Sequence, residues 1–163
     1  MEIRRIEEND IAECLKFYNY YVRNTCFSLA EQEMPEEEWR RTVRKVTEKY
    51  PFVFAHDETG AVLGYAYLSA FNERSGYRYT ADLSIYVRPD NVHRQVGGRM
   101  LEKIEALGKE QGIRTLISII TGENAHSIAF HEKHGFVCEG VLHKVAVKFS
   151  KEFDVCYYRK AIG

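Results

Sequence analysis

Apolar residues recur along this chain with two different periods, and the switches between them divide it into elements. From Tyr77 to Val87, the residues Tyr79, Ala81, Leu83, Ile85 and Val87 alternate with Thr80, Asp82, Ser84 and Tyr86. That is the period-two pattern of a half-buried strand. Ile11, Cys14, Leu15, Tyr18 and Val22 instead share one helical face, and Asn9 stands where a helix N-cap is expected. Trp39, Val43 and Val46 form the buried stripe of a second helix starting near Pro35, with Glu36, Glu37 and Glu38 at the positive end of its dipole. Phe52–His56 and Ala61–Ala70 flank Asp57-Glu58-Thr59-Gly60, a turn sequence that makes them a hairpin. Met100, Leu101, Ile104 and Leu107 mark a third helix that stops by Gly112. Ile113–Ile120 is nearly all apolar and reads as a strand covered on both faces. Asn124–His134, closed by Gly135, is a short helix, Phe136–Val141 and Val145–Phe149 read as strands, and Val155–Tyr158 is a candidate for one more. With a short strand at Glu2–Ile6, the order βααβββαβαββ predicts an α/β domain, a mixed sheet with helices on both faces.

The passage from Val87 to the third helix has a second meaning. A strand, a short loop with Gly97-Gly98 and then a helix is the recipe for an anion site, because unpaired N–H groups of the first turn point at the ligand. Arg88, Arg94 and Arg99 add cations around it. It is neither a Walker A loop nor a GxGxxG fingerprint. The same glycines equally serve a tight turn with no ligand at all.

Composition narrows the field. A chain of 163 residues fits one domain, 1–163, and 45% apolar residues supply a core without disulfides. With 23 basic and 24 acidic residues, the net charge of −1 gives no electrostatic case for nucleic acid. Cys14, Cys26, Cys138 and Cys156 form no CxxC pair and no metal-ligand spacing, so they are expected to be reduced, mostly in the core. The first residues, MEIRRIEEND, hold no apolar segment, and no run reaches membrane-spanning length. No membrane partner, no metal and a cytoplasmic location are therefore expected.

Val87-Arg88-Pro89-Asp90 leading into His93-Arg94-Gln95-Val96-Gly97 resembles the cofactor loop of the GCN5-related N-acetyltransferase (GNAT) superfamily. Further segments resemble its phosphinothricin acetyltransferase group: Arg23-Asn24-Thr25, Pro35 to Trp39, Gly76 to Thr80, Ser84 to Val87, Glu123 to Ala129, Gly135-Phe136, Lys148-Phe149 and Asp154. The resemblance covers nearly the whole chain in one order. It implies a splayed mixed sheet, acetyl-CoA as cofactor and a homodimer. The superfamily's loop reads Arg/Gln-x-x-Gly-x-Gly/Ala, and those three places hold Val92, Gln95 and Gly97 here. Gln95 brings a Cβ to a place where glycine permits positive φ, so a weakened grip or a re-shaped loop is expected.

The resemblance also assigns roles. Tyr86, Val87, Arg94, Gln95, Val96, Gly97, Gly98, Arg99, Asn124 and Ser127 become the expected cofactor contacts. Asp82 stands where the group usually has a glutamate read as general base; its mid-strand place on a polar face fits that role or a bond to a neighbouring loop. His131 stands where many members place a tyrosine that protonates the leaving sulfur, although a histidine in a helix's last turn is also favoured by the dipole. For the acceptor, Arg74 can clamp a carboxylate, Glu73 can meet an ammonium, and Phe27 and Tyr77 can wall the pocket, or the loop is simply solvated. The function so implied is acetylation of a small amino-acid-like amine of the phosphinothricin or methionine sulfoximine type. Acetylation of protein or peptide N-termini, and a non-catalytic acetyl-CoA-binding module, are the alternatives.

Overall fold

The computed structural model describes residues 1–91 and 95–163. Seven strands form one sheet in the order β1-β2-β3-β4-β5-β7-β6. The strands are β1 (Glu2–Arg5), β2 (Phe52–His56), β3 (Val62–Ala70), β4 (Thr80–Val87), β5 (Thr115–Thr121), β6 (Val137–Lys148) and β7 (Lys151–Ala161). The helices are α1 (Ile11–Asn24), α2 (Glu36–Thr47), α3 (Val96–Glu110) and α4 (Ala125–Lys133). The mixed sheet with helices on both faces is as expected. Among the described strands, β4 and β5 form the one parallel pair. Parallel neighbours need a crossover, and α3 provides it.

Side-chain alternation on the strands divides the core in two. Val53, Ala66, Leu68, Ala81 and Leu83 face α3, which answers with Met100, Leu101 and Ile104. Phe52, Phe54 and Tyr65 face the other way, onto Ile11, Cys14 and Leu15 of α1 and Trp39 and Val43 of α2. Trp39 is buried because its indole N–H also finds a partner, donating to the Ile11 carbonyl at 3.0 Å.

Several boundaries differ from expectation for identifiable reasons. Asn9 does not cap α1; it lies within a 3-10 turn, Glu8–Asp10. There the Asp10 carboxylate accepts from the Glu7 N–H at 2.8 Å and pairs with Arg4 at 2.6 Å, so the ion pair sets the turn. Tyr77 lies in another 3-10 turn, Ser75–Tyr77, and β4 begins only at Thr80. The two strands expected at Phe136–Val141 and Val145–Phe149 are one strand, β6, whose register slips between Leu142 and Ala146. Lys144, at φ 52°, absorbs the slip, and its N–H donates to the Asp154 carboxylate at 2.9 Å. All four cysteines are free, but Cys138 is exposed and Cys26 only half-buried, leaving Cys14 and Cys156 in the core. No helix among the described residues is long and apolar enough to cross a membrane.

Candidate active site

Pairing between β4 and β5 is confined to Thr80↔Thr115, Ala81↔Leu116 and Asp82↔Ile117. Beyond that point β4 follows β3 as far as Val87, and β5 follows β7 as far as Thr121. The sheet therefore splits into two arms. Between them lies a cleft of about 820 Å³, walled by Leu83 to Val87 on one arm and Ser118 to Ile120 on the other. Its ends are closed by the start of α3, by α4, and by Tyr20, Tyr21, Thr25 and Phe27. The main-chain polar groups on the free edge of β4 have lost their strand partner here; the Val87 carbonyl takes the Tyr21 hydroxyl instead, and the N–H groups are open to a ligand. Ile119, expected to be covered on both faces, is 45% exposed because it borders this cleft.

The start of α3 lies at one end. The helix begins at Val96, so Gly97 and Gly98 occupy its first turn rather than a loop ahead of it, and their N–H groups belong to the set without intrahelical acceptors. Gln95 adopts φ 58° and ψ 12°, the left-handed conformation for which glycine is the usual choice. A side chain in that conformation costs about 1 kcal/mol. The glycines also have a packing role. A Cβ on Gly97 would come within 3.1 Å of the Phe130 ring, and one on Gly98 within 3.1 Å of His134 Nε2. Exposed Arg99 borders the same corner. Arg94, together with Val92 and His93, lies outside the described residues.

On α4, Asn124 is the N-cap: its side-chain oxygen accepts from the Ser127 N–H at 3.1 Å. Its amide NH₂ group is left to face the cleft, which Asn124 and Ser127 both line. His131 is 2% exposed, and its Nδ1 lies 2.7 Å from the Ser127 carbonyl. A carbonyl only accepts, so Nδ1 carries the proton, and Nε2 is a bare lone pair. That buried Nε2 has no partner among the described residues, and His131 lines the cleft. Burial pushes its pKa below 6.5, and nearby His134 adds to the effect. The imidazole is thus a neutral acceptor; it can give a proton to a leaving sulfur only after taking one up.

Asp82 is the last residue of β4 still paired to β5, at the apex of the split. It is half-buried, one residue behind the cleft walls, and shares a sheet face with Ser84 and Tyr86. Burial raises its pKa from 3.8 to about 6, with no offsetting cation among the described residues. Tyr86 turns its ring into an aromatic cluster, 5.2 Å from Tyr65 and 5.6 Å from Tyr21, and its main-chain N–H and C=O face Tyr65 of β3, so the open polar edge of β4 belongs to Leu83, Ile85 and Val87.

The expected acceptor residues do not assemble as a group. Phe27 lines the cleft, but Glu73, Arg74 and Tyr77 do not. The reason is topological. They precede β4, at the end where β4 and β5 are paired, whereas the cleft opens at the opposite end. Conversely, three cleft residues were not picked out. Tyr21 donates its hydroxyl to the Val87 carbonyl at 2.6 Å, and His134 packs over Gly98. Ser118 has a buried Oγ without a partner among the described residues. The available signal for Ser118 was a hydroxyl set between apolar neighbours in residues 116–120.

The family model described as an acetyltransferase (GNAT) domain matches residues 3–157. The chain is 30% identical to the phosphinothricin N-acetyltransferase of Alcaligenes faecalis over 163 residues, covering 99% of this chain and 82% of that one. It is also 30% identical to the L-methionine sulfoximine/L-methionine sulfone acetyltransferase of Pseudomonas aeruginosa, covering 91% and 87%. The crystal structure of a GNAT phosphinothricin acetyltransferase from Sinorhizobium meliloti, in complex with AcCoA, superposes with a TM-score of 0.95 at 30% identity, covering 99% and 88%. A split sheet with an open helix start beside it and a sequence match running almost end to end have one common explanation: this chain belongs to the GNAT family of acetyltransferases.

Proposed function

We propose that the protein transfers the acetyl group of acetyl-CoA to the amine of a small amino-acid-like molecule of the phosphinothricin or methionine sulfoximine type. The observation that carries this reading is the placing of Asp82 and His131, two proton acceptors, beside the cleft that opens where β4 leaves β5. The residues present fit the cofactor. The first turn of α3 and Arg99 would hold the pyrophosphate, and the free edge of β4 and the Asn124 amide would hold the pantetheine amides. When bound, acetyl-CoA supplies the thioester carbonyl that the amine attacks.

The chain's own residues manage the protons. An alkylammonium must lose a proton before it can attack. Asp82, with its pKa near 6, is a carboxylate at neutral pH and poised to accept that proton. It is set behind the cleft wall, so a bridging water completes the reach. His131 Nε2 would take up the second proton and return it to the leaving sulfur. Main-chain N–H groups on the free edge of β4, at Ile85 and Val87, would face the thioester oxygen as charge builds on it.

The working unit we infer is a cytoplasmic homodimer. Its support is the edge strand β6, where Val137, Val145 and Val147 are each more than half exposed, with Phe149 beyond them at 60%. The test is thiol release from acetyl-CoA with phosphinothricin, methionine sulfoximine, free amino acids and short peptides, with acetylated product confirmed by mass. Turnover on the small amines supports the reading. Turnover on peptides alone would move the acceptor to protein N-termini, and calorimetric binding without any turnover would leave a binding module.

A further inference from the structure

Lys148, the last residue of β6, is 1% exposed. Its ammonium donates to three main-chain carbonyls: Val22 at 2.6 Å, Thr25 at 2.8 Å and Ser28 at 2.6 Å. An ammonium has three protons, and all three are used. Among the described residues no carboxylate pairs with it. Burying a charge on neutral acceptors is an expensive way to gain stability, since an apolar side chain of similar shape would often do as well. What an apolar side chain cannot do is hold those three carbonyls. Val22 lies in the last turn of α1, where carbonyls lack helical partners and carry the negative end of the dipole, and Thr25 and Ser28 follow in the segment after it.

The segment so held forms part of the cleft. Thr25 and Phe27 line it, and Thr25–Ser28 is tied elsewhere as well. Thr121 at the end of β5 donates its hydroxyl to the Cys26 carbonyl at 2.8 Å. One turn earlier, Tyr21 is bonded to the end of β4. The end of α1 and its extension therefore bridge the two arms of the split sheet. Lys148 is the third anchor, held at the end of β6. It is paired with Lys151 across the two-residue turn Phe149-Ser150, whose φ values of 52° and 58° are those of a tight type I′ hairpin.

We propose that Lys148 is a positioning residue for the acceptor amine, fastening Thr25–Ser28 so that Thr25 and Phe27 stand in the cleft wall. The inference rests on the acetylation reading above. The cofactor contacts lie on α3, α4 and β4, none of which Lys148 bonds to. Loosening the anchor therefore acts on the amine and not on acetyl-CoA.

The test is Lys148→Met, which keeps the chain length and removes the donors, followed by hydrogen exchange and steady-state kinetics. Amides of Thr25–Ser28 are expected to exchange about tenfold faster, with those of α3 unchanged. The amine KM is expected to rise about tenfold, while kcat stays within about threefold and the acetyl-CoA Kd within about twofold. If Lys148→Met does not fold, Lys148→Gln still donates two hydrogen bonds and should give a smaller rise in amine KM. An active, folded variant with an unmoved amine KM, or one whose acetyl-CoA Kd weakens in step, overturns the proposal. So does failure of both variants to fold, which would make Lys148 a folding residue. Wild-type protein inactive on every amine is a different failure: it removes the acetylation reading, and this inference with it.

Discussion

Replacing Asp82 by asparagine should make the protein more stable and much slower, a pairing that few substitutions produce. The carboxyl pKa rises from 3.8 to about 6 on folding because burial disfavours its charge. The folded state therefore holds the proton more tightly than the unfolded chain does. The contribution of Asp82 to stability is greatest below about pH 4, declines as the pH climbs to about 6, and is flat above that. Each tenfold change in acidity is worth about 1.4 kcal/mol, so the ionised carboxylate costs the folded state at most about 3 kcal/mol. Solvent still reaches the side chain, and screening reduces this to about 1–2 kcal/mol. Asp82→Asn removes the charge at nearly constant shape. At pH 8 its Tm should exceed the wild type's by roughly 3–6 °C for a chain of this size. Near pH 4 the two melting curves should converge. Thiol release at saturating substrates should fall by about 10²–10⁴, the usual yield of a positioned general base. The pair of assays is calorimetric melting at both pH values and a thiol-coupled rate. A variant no more stable at pH 8 would show that the carboxylate is not desolvated, and an unchanged rate would remove Asp82 from the chemistry.

Three other outcomes follow from the same geometry. The pH profile of kcat/KM should rise on an acid limb with an apparent pKa near 6, because protonated Asp82 accepts nothing and His131 titrates below 6.5; a limb centred above about 7.5 would contradict both assignments. Gln95→Gly relieves a left-handed glutamine and should leave Tm equal or slightly higher and acetyl-CoA Kd equal or tighter; a marked loss of affinity by calorimetry would mean that this turn does not hold the pyrophosphate. Asn124→Ala removes the cap of α4, costing about 1 kcal/mol of stability in denaturant melts, and should also raise the acetyl-CoA KM; a stability loss without any change in KM would confine Asn124 to capping.

Much of the architecture was legible in the residue pattern, because burial imposes its period locally. The alternation through Ala81, Leu83 and Ile85 and the helical stripe of Ile11, Cys14, Leu15 and Val22 required no knowledge of neighbours. Boundaries failed where a side chain from elsewhere intervened. Arg4 reaching Asp10 displaced the cap from Asn9, and Asp154 holding Lys144 joined two expected strands into one. Asp82, His131, Asn124 and Phe27 could be named from their types and from family resemblance. The Glu73–Tyr77 loop could not be placed, because which end of β4 opens depends on where β5 stops pairing with it.

The amino-acid sequence by itself determined the elements, their order, the family and the chemical candidates, since each rests on local periodicity or on residue identity in a known order. Only the tertiary structure decided that β4 and β5 part after Asp82, that His131 presents a bare Nε2, and that Lys148 reaches Val22, Thr25 and Ser28. These last depend on contacts between segments as much as 126 residues apart, whose free energy comes from desolvation and mutual geometry that no local pattern encodes.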